Sequence, residues 1–400
     1  MLETLAPAPA DPILGLTDAY RADPRSPKVN LGVGVFMDET GATPVLDAVH
    51  KAEVLLAATE KTKTYLPIAG APAFASAATE LVFGGAFEPA REGRIAAAQS
   101  LGGTGALRLG FELLKLARPA AAVWIPTPTW GNHPAILRSV GLETKLYPWY
   151  DPATRSVNGP ALLEALAAIP AGDIVLLHAC CHNPTGADPD PDLWQQIAQV
   201  AKTRGWFPFF DFAYQGFGQN PTDDRAGMLT VLHDAPEALV ATSFSKNMGL
   251  YSERVGTLQI LAPTPDSATA ALSQVRRIIR VLYSNPPRHG ATLVQTILAD
   301  TELRALWLKE LAAMQRRIAE NRAALADGLT ALCPDRDFTY ITRQNGMFSY
   351  SGLTEPQVTW LREERAIYMV KGGRINIAGL LPANLPYVCT SIAESLSRFP

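Results

Sequence analysis

The sequence predicts an α/β fold, with a large domain on a mostly parallel sheet and a smaller α+β domain. Three observations predict it. Short apolar runs alternate with helix-patterned stretches from about residue 100 to 260, as strands do when each crosses to the next through a helix. A long apolar stripe at three- and four-residue steps follows. Beyond it come short strand-like runs and a helical tail. A chain of 400 residues is also longer than one core usually takes, which favours more than one domain.

Taken in order, the opening residues are rich in proline and turns (Asp23-Pro24, Ser26-Pro27). Residues 1–45 read as an arm plus part of the smaller domain, 46–310 as the large domain, and 311–400 as a connecting helix and small C-terminal domain. Ala121 to Ile125, Asp173 to Leu177, Trp206 to Phe210, Leu239 to Ser243 and Val255 to Leu261 read as buried strands, with helices over Leu107 to Leu116 and Leu193 to Ala201. The stripe runs through Leu303, Trp307, Leu311, Met314, Ile318, Leu325, Leu329 and Leu332. Its length suits a core-facing helix that also joins domains. Phe338 to Tyr340, Met347 to Tyr350 and Ile367 to Val370 read as short strands, and a helix is expected from Ala383 onward. There is no internal repeat and no low-complexity tract.

Lys plus Arg is 35 against Asp plus Glu 38, a net charge of -3. Such a chain has no basic field for nucleic acid or anionic lipid, so a small molecule is the expected partner. Hydrophobic residues at 48% and charged ones at 18% exclude disorder. Cys180, Cys181, Cys333 and Cys389 make neither a disulfide framework nor a zinc pair. No metal is expected. The first ten residues lack the pattern of a secretory signal, and no stretch is apolar for the roughly 20 residues of a membrane helix. The expectation is a cytoplasmic protein.

Three signals fall just past predicted parallel strands, where open α/β sheets bind ligands. They are His182-Asn183-Pro184-Thr185-Gly186, Asp211-Phe212-Ala213-Tyr214-Gln215-Gly216, and Ser243-Phe244-Ser245-Lys246-Asn247 followed by Glu253-Arg254-Val255-Gly256. Each alone also reads as a turn or a helix cap. Together they assemble a lysine, an aspartate, a tyrosine and an arginine at one sheet edge. A lysine there can form an imine with a carbonyl, and pyridoxal phosphate supplies such a carbonyl. Asp211 beside the ring nitrogen would let the ring absorb the electrons of a carbanion. Tyr214 and Asn183 would bond the ring hydroxyl, and Arg254 and Ser243 the phosphate. Gly102-Gly103-Thr104-Gly105 opens a helix whose N–H groups favour an anion, although a tight turn before a helix is an equal reading of these residues. The motif has neither the lysine of a P-loop nor a full Gly-x-Gly-x-x-Gly.

With these motifs the chain resembles the fold-type-I pyridoxal-phosphate aminotransferases, and within them the aspartate and aromatic amino-acid aminotransferases. The resemblance runs nearly end to end, from Asp11-Pro-Ile-Leu-Gly15 through Asn345-Gly-Met-Phe-Ser349 to Gly373-Arg374-Ile-Asn-Ile-Ala-Gly379. Its most specific pieces are Cys180-Cys-His-Asn-Pro-Thr-Gly186, Asp211-Phe-Ala-Tyr-Gln-Gly216 and Ser243-Phe-Ser-Lys-Asn247. It implies a mostly parallel, seven-stranded type of sheet between helices in the large domain. It implies that Lys246 carries the cofactor and moves the proton, that Asp211 pairs with the ring nitrogen with His133 behind it, and that Trp130 stacks on the ring. Asn183 and Tyr214 would contact the ring hydroxyl. Gly103, Thr104, Ser243 and Arg254 would hold the phosphate, helped by Tyr65 from a neighbouring subunit. Arg374, with the Gly34 backbone, would grip the substrate α-carboxylate, and Arg280 would cross a homodimer boundary to a second carboxylate.

The remaining signals have plainer readings. Cys180 and Cys181 read as packing residues with no ligand spacing nearby, and His182 as a structural hydrogen-bonder. His50, His178, His233 and His289 show no partner pattern. The resemblance implies amino-group transfer from an amino acid to a 2-oxo acid. Other fold-type-I activities, a β-lyase or decarboxylase, share the Lys–Asp pair, and a strictly aspartate-specific transaminase is a further alternative. A nicotinamide-dependent dehydrogenase lacks its glycine fingerprint, and a non-catalytic binding protein has no use for the pair. Met37, Thr64 and Leu282 stand where aspartate-restricted relatives carry polar residues, and Tyr65-Leu-Pro-Ile68 and Tyr147-Pro-Trp-Tyr150 look like the aromatic branch. Val35, Thr43 and Asn285 keep the aspartate pattern. Acceptance of both substrate classes is the expectation.

Overall fold

In the computed structural model, residues 2–7 and 14–399 are described. Asp11, Pro12 and Ile13, the start of the resemblance, lie outside the described residues. Seven strands form the central sheet: β1 (Ile95–Leu101), β2 (Val123–Thr127), β3 (Thr144–Pro148), β4 (Ile174–His178), β5 (Phe207–Phe212), β6 (Ala238–Ser243) and β7 (Val255–Leu261). Their spatial order is β1-β7-β6-β5-β4-β2-β3. From β6 to β3 every neighbouring pair is parallel, and β7 lies antiparallel to both β6 and β1.

Strands β4 to β7 are buried at every residue. With helices over both faces there is no solvent side to demand polar alternation, and so they read as continuous apolar runs. The sequence reading missed β1 and β3 for the opposite reason. In β1 the run Ala96-Ala97-Ala98-Gln99-Ser100 has little strand propensity, and the edge strand β3 carries an exposed Thr144 and a half-buried Lys145.

The chain divides into two compact units. The larger comprises Thr43–Asn183 and Ala187–Arg316; the smaller comprises Met1–Ala42, Pro184–Gly186 and Arg317–Pro400. The division falls inside a helix, α3 (Thr301–Leu332), rather than at residue 310.

In the larger unit the helix α1 (Gly102–Ala117) lies on the sheet and packs Phe111 against Phe209 of β5, ring centroids 5.0 Å apart. Trp307 of α3 is fully buried, and its indole N–H donates to the Asn247 carbonyl at 2.6 Å. That bond fixes the residue next to Lys246. The helix α2 (Pro265–Leu282) starts with Thr264 accepting the Ser267 N–H and ends at Tyr283.

In the smaller unit Val29–Asn30 pairs in parallel with Ile367–Tyr368, and Phe348–Tyr350 pairs antiparallel with Arg374–Asn376. The buried Arg322 donates to the carbonyls of Ile341, Gly346 and Phe348, so backbone dipoles face its charge. Phe338 to Tyr340 is not a strand. Asp337 accepts the Thr339 N–H at 2.8 Å, a turn opens, and Tyr340–Arg343 is a short helix with Phe338 and Tyr340 buried. Three residues cannot show a period, so burial alone made that run look like a strand. The arm likewise holds a helix, Leu14–Ala22, that its turn residues hid. Among the described residues no helix is long and apolar enough to cross a membrane.

Gly110 tests the packing of α1. A methyl group there would fall 2.4 Å from Cζ of the fully buried Phe209. Helix propensity favours alanine over glycine by about 1 kcal/mol, while overpacking a core costs about 1–3 kcal/mol. The ring is buried and cannot step aside, so Gly110→Ala should lower stability. Denaturant unfolding checks this; an unchanged or raised midpoint would contradict it.

Candidate active site

Strands β4, β5 and β6 end side by side. His178 is in register with Asp211, and Phe212 with Thr242. The three loops that follow carry Asn183, Tyr214 and Lys246, so the sheet itself brings together residues 63 positions apart in sequence (246 minus 183). Asp211 is buried, and its Oδ2 lies 3.1 Å from His133 Nε2. Burial alone would raise its pKa. The His133 hydrogen bond, with the nearby Lys246 ammonium, outweighs that and holds the carboxyl below the usual carboxylate range.

Behind His133 the bonds have one consistent direction. The Asn183 backbone N–H donates to His178 Nδ1 at 3.3 Å, so the ring proton of His178 belongs on Nε2. That nitrogen faces Thr129 Oγ1 at 3.4 Å, and the Thr129 hydroxyl is 2.8 Å from His133 Nδ1. With the hydroxyl donating, His133 keeps its proton on Nε2, toward Asp211. Burial, and then the neighbouring His133, push His178 down to about 3, so it stays neutral. The sequence reading gave His178 no partner. Its signal was its place at the end of a buried strand opposite Asp211.

Lys246 is half-buried, with Nζ 4.9 Å from the centroid of the buried Tyr214 ring. Trp130 stands edge-on to His133, centroids 5.2 Å apart. One carboxylate, one amine, one phenol, one indole and one amide thus share this sheet edge.

A second cluster adjoins it. Leu101 is the N-cap of α1 and offers no side-chain cap, so the first N–H groups of the helix face outward uncapped. A Cβ on Gly102, whose φ is +68, would fall 2.7 Å from Arg254 Nη2, and one on Gly103 would fall 3.2 Å from Ser243 Cβ. Thr104 lies in the same turn. Arg254 donates to Ser245 Oγ at 3.2 Å and to the Tyr251 carbonyl at 3.1 Å, and Ser243 Oγ accepts the Ser245 N–H at 3.2 Å. Bare helix N–H groups, a guanidinium and hydroxyls in a cradle that side chains would fill suit a phosphate dianion. Ser245 is an addition to the residues read from the sequence.

In the smaller unit Arg374 is buried, donates from Nη2 to the Gly32 carbonyl at 2.7 Å, and lies 4.0 Å over the Phe348 ring. A Cβ on Gly34 would fall 2.8 Å from the same ring. Asn376 donates to the carbonyls of Val33 and Val35, which ties the glycine segment to the strand that bears Arg374. Tyr65 and Arg280 of the larger unit are both exposed, Tyr65 at 91%, and Arg280 reaches Ser284 Oγ at 2.5 Å.

The sequence suggested no ligand-spaced neighbours for the paired cysteines. The fold supplies one: Cys180, Cys181 and Asp224 bring ligand atoms within 4.8 Å of one another. Asp224 already accepts the N–H groups of Gly216, Gly218 and Gln219, and Asp188 those of Cys181 and His182. These carboxylates anchor the loops after β4 and β5. Contacts across 44 residues (224 minus 180) leave no local pattern to read.

The sequence matches the family model for aminotransferase class I and II over residues 26–392. The chain belongs to that family. Aspartate aminotransferase of Escherichia coli K12 is 46% identical over 396 residues, 99% of this chain and 100% of that protein. Among solved structures, the aromatic-amino-acid aminotransferase of Burkholderia pseudomallei, covalently bound to pyridoxal phosphate, has 45% identity and a TM-score of 0.96, covering 99% of each chain. Aspartate aminotransferase from the cytoplasm of Saccharomyces cerevisiae has 35% identity and a TM-score of 0.97, covering 100% of this chain and 99% of that one. The fold is that of these enzymes, and this aminotransferase works with pyridoxal phosphate.

Removing His133 would take away the largest interaction that opposes the burial of Asp211 and so raise its pKa. For a group held low, the charged form persists until pH falls through the folded value; raising that value brings the loss on sooner. His133→Leu should therefore move the acid limb of the kcat/KM profile to higher pH. An unmoved limb would separate His133 from the ionisation of Asp211.

Proposed function

We propose that this aminotransferase accepts both aspartate and aromatic amino acids, delivers their amino groups to 2-oxoglutarate, and acts in the cytoplasm as a homodimer with shared sites. The observation that carries the dual range is the end of α2, where the exposed Arg280 is followed by Val281, 86% exposed, and Leu282, 43% exposed. A cation beside apolar side chains can meet a carboxylate or lie along a ring. Burying a phenyl ring returns about 2–3 kcal/mol, enough to stand in for the lost carboxylate contact. Met37 and Thr64 continue the same low polarity in sequence.

Bound pyridoxal phosphate supplies an aldehyde carbonyl and a ring that takes up an electron pair from the substrate carbon. The residues around it have separate tasks. Lys246 holds the carbonyl end through Nζ and carries the substrate α-proton on the same atom. Asp211, kept ionised by His133, holds the proton of the ring nitrogen. Asn183 and Tyr214 bond the ring hydroxyl, and Trp130 covers the ring face. Gly103, Thr104, Ser243 and Arg254 hold the phosphate with Tyr65 of a second copy. Arg374 clamps the α-carboxylate beside Gly34, and Arg280 of the second copy receives a distal carboxylate.

The exposure of Tyr65 and Arg280 supports the shared site, since both side chains are open to a second copy. Four unbridged thiols suit a reducing cytoplasm.

Rates with aspartate, phenylalanine and tyrosine, using 2-oxoglutarate as acceptor, test the range. All three should turn over, and Met37→Lys should slow the aromatic pair selectively. A loss above a thousandfold for the aromatic pair, about 4 kcal/mol, would restrict the enzyme to aspartate.

Shared sites predict complementation. Homodimers of Lys246→Ala should be inactive and those of Arg280→Ala weak on aspartate. A hybrid of the two retains one site with Lys246 and a donated Arg280, so mixing should restore aspartate activity. Hybrids that form and stay inactive would show that each chain's site is its own.

A further inference from the structure

Gln99 lies in β1 after three alanines and is fully buried. Its amide oxygen has no hydrogen-bond partner among the described residues. A buried amide half satisfied is a poor choice for stability alone, because methionine would fill the same space without a stranded acceptor. The donating half of the amide explains it. Nε2 donates to the Pro287 carbonyl at 2.7 Å, while the Gln99 backbone N–H donates to the Ala69 carbonyl at 2.9 Å. One residue therefore touches two segments. The first runs through Tyr65 to Gly70, where a Cβ would fall 2.5 Å from the Cβ of Gln99, at a φ of +87. The second, Tyr283 to Arg288, follows the last turn of α2, which bears Arg280.

The two segments are also stitched to each other. Asn285 Nδ2 donates to the Leu66 carbonyl at 3.2 Å, and Arg288 Nη1 to the Thr62 carbonyl at 3.1 Å. Between them Ser284 has a φ of +69, a conformation serine holds only when its surroundings enforce it, and its Oγ meets Arg280 Nη1. Release of Pro287 would free this turn and with it the aim of the guanidinium.

We infer that Gln99 is a positioning residue that holds the Tyr65 segment and the Arg280 segment in one fixed relation, so that recognition of a dicarboxylic substrate depends on a side chain buried in the sheet. The inference rests on the reading that Arg280 meets the distal carboxylate and Tyr65 the phosphate. Asp211 lies on β5 and Lys246 in the loop after β6, which separates the effect of Gln99 from the proton-transfer centre.

The test is the single-turnover half-reaction of the holoenzyme, followed by cofactor absorbance, with aspartate alone and with phenylalanine alone. Gln99→Met should raise KM for aspartate about tenfold, in line with a misplaced binding group, with kcat changed less than about threefold. The phenylalanine half-reaction should stay within about threefold in kcat/KM, and cofactor should dissociate faster because Tyr65 is loosened. Equal losses on both substrates, or no loss on either, would make Gln99 a packing residue and overturn the inference. Arg280→Ala, run alongside, must itself separate the two substrates. If it does not, the reading of Arg280 falls and takes the inference with it, a failure distinct from that of Gln99→Met alone. Should Gln99→Met not fold, Asn285→Ala severs the stitch between the segments from outside the strand and should shift aspartate KM in the same direction. No shift there overturns the inference as well.

Discussion

The bond between His133 and Asp211 is the constraint to which the rest of the larger unit conforms. A carboxylate inside a sheet edge is costly to ionise, and here it is ionised because an imidazole N–H faces it, with Nε2 3.1 Å from the carboxylate oxygen. That proton is in place because Thr129 turns its hydroxyl toward the other ring nitrogen, and Thr129 is oriented by a His178 whose own tautomer follows from a backbone N–H. Each link needs the strand register that sets His178 opposite Asp211. A slip of one residue would send Asp211 to the other face of the sheet. The continuous apolar character of β4 to β6 thus serves the chemistry as well as the core, because it fixes the plane in which the charges are arranged.

Much of this was legible in the sequence. A strand that ends in a carboxylate, a second that ends before Ser-Phe-Ser-Lys and a third before His-Asn-Pro-Thr-Gly can be seen without coordinates, because buried strands announce themselves as apolar runs. What could not be read had no local signature. Asp188 and Asp224 look like surface residues in a polar stretch, yet each binds backbone N–H groups of a loop that carries a site residue. Gln99 sits in an alanine-rich run with weak strand propensity, so neither its strand nor its partners were visible. The Phe338 to Tyr340 run failed in the other direction, since burial imitates a strand where the backbone is only turning into a helix. The pattern of hits and misses follows the range of the interaction: periodic burial is written locally, and hydrogen bonds between distant segments are not.

The two charged clusters differ in how they are built. Around Asp211 polarity is concentrated on a few side chains with matched tautomers, and replacing one member changes all the others. At the start of α1 the cradle that would take an anion is mostly backbone, and its arginine is fastened by carbonyls and a serine. Side-chain networks tune a proton; backbone cradles grip a charge. The chain uses each device where its kind of selectivity is wanted.

The cradle has a further consequence for how such an enzyme can change. Gly102, held at φ +68 against Arg254, would anchor the phosphate end of a ligand by main-chain geometry, which mutation of side chains cannot easily erode. A ligand pinned at one end acts as a lever with a fixed fulcrum. Alterations far from the fulcrum, such as those at the end of α2, displace only the free end. With such a cradle, substrate range could drift over many generations of substitution while the grip on the cofactor is inherited unchanged.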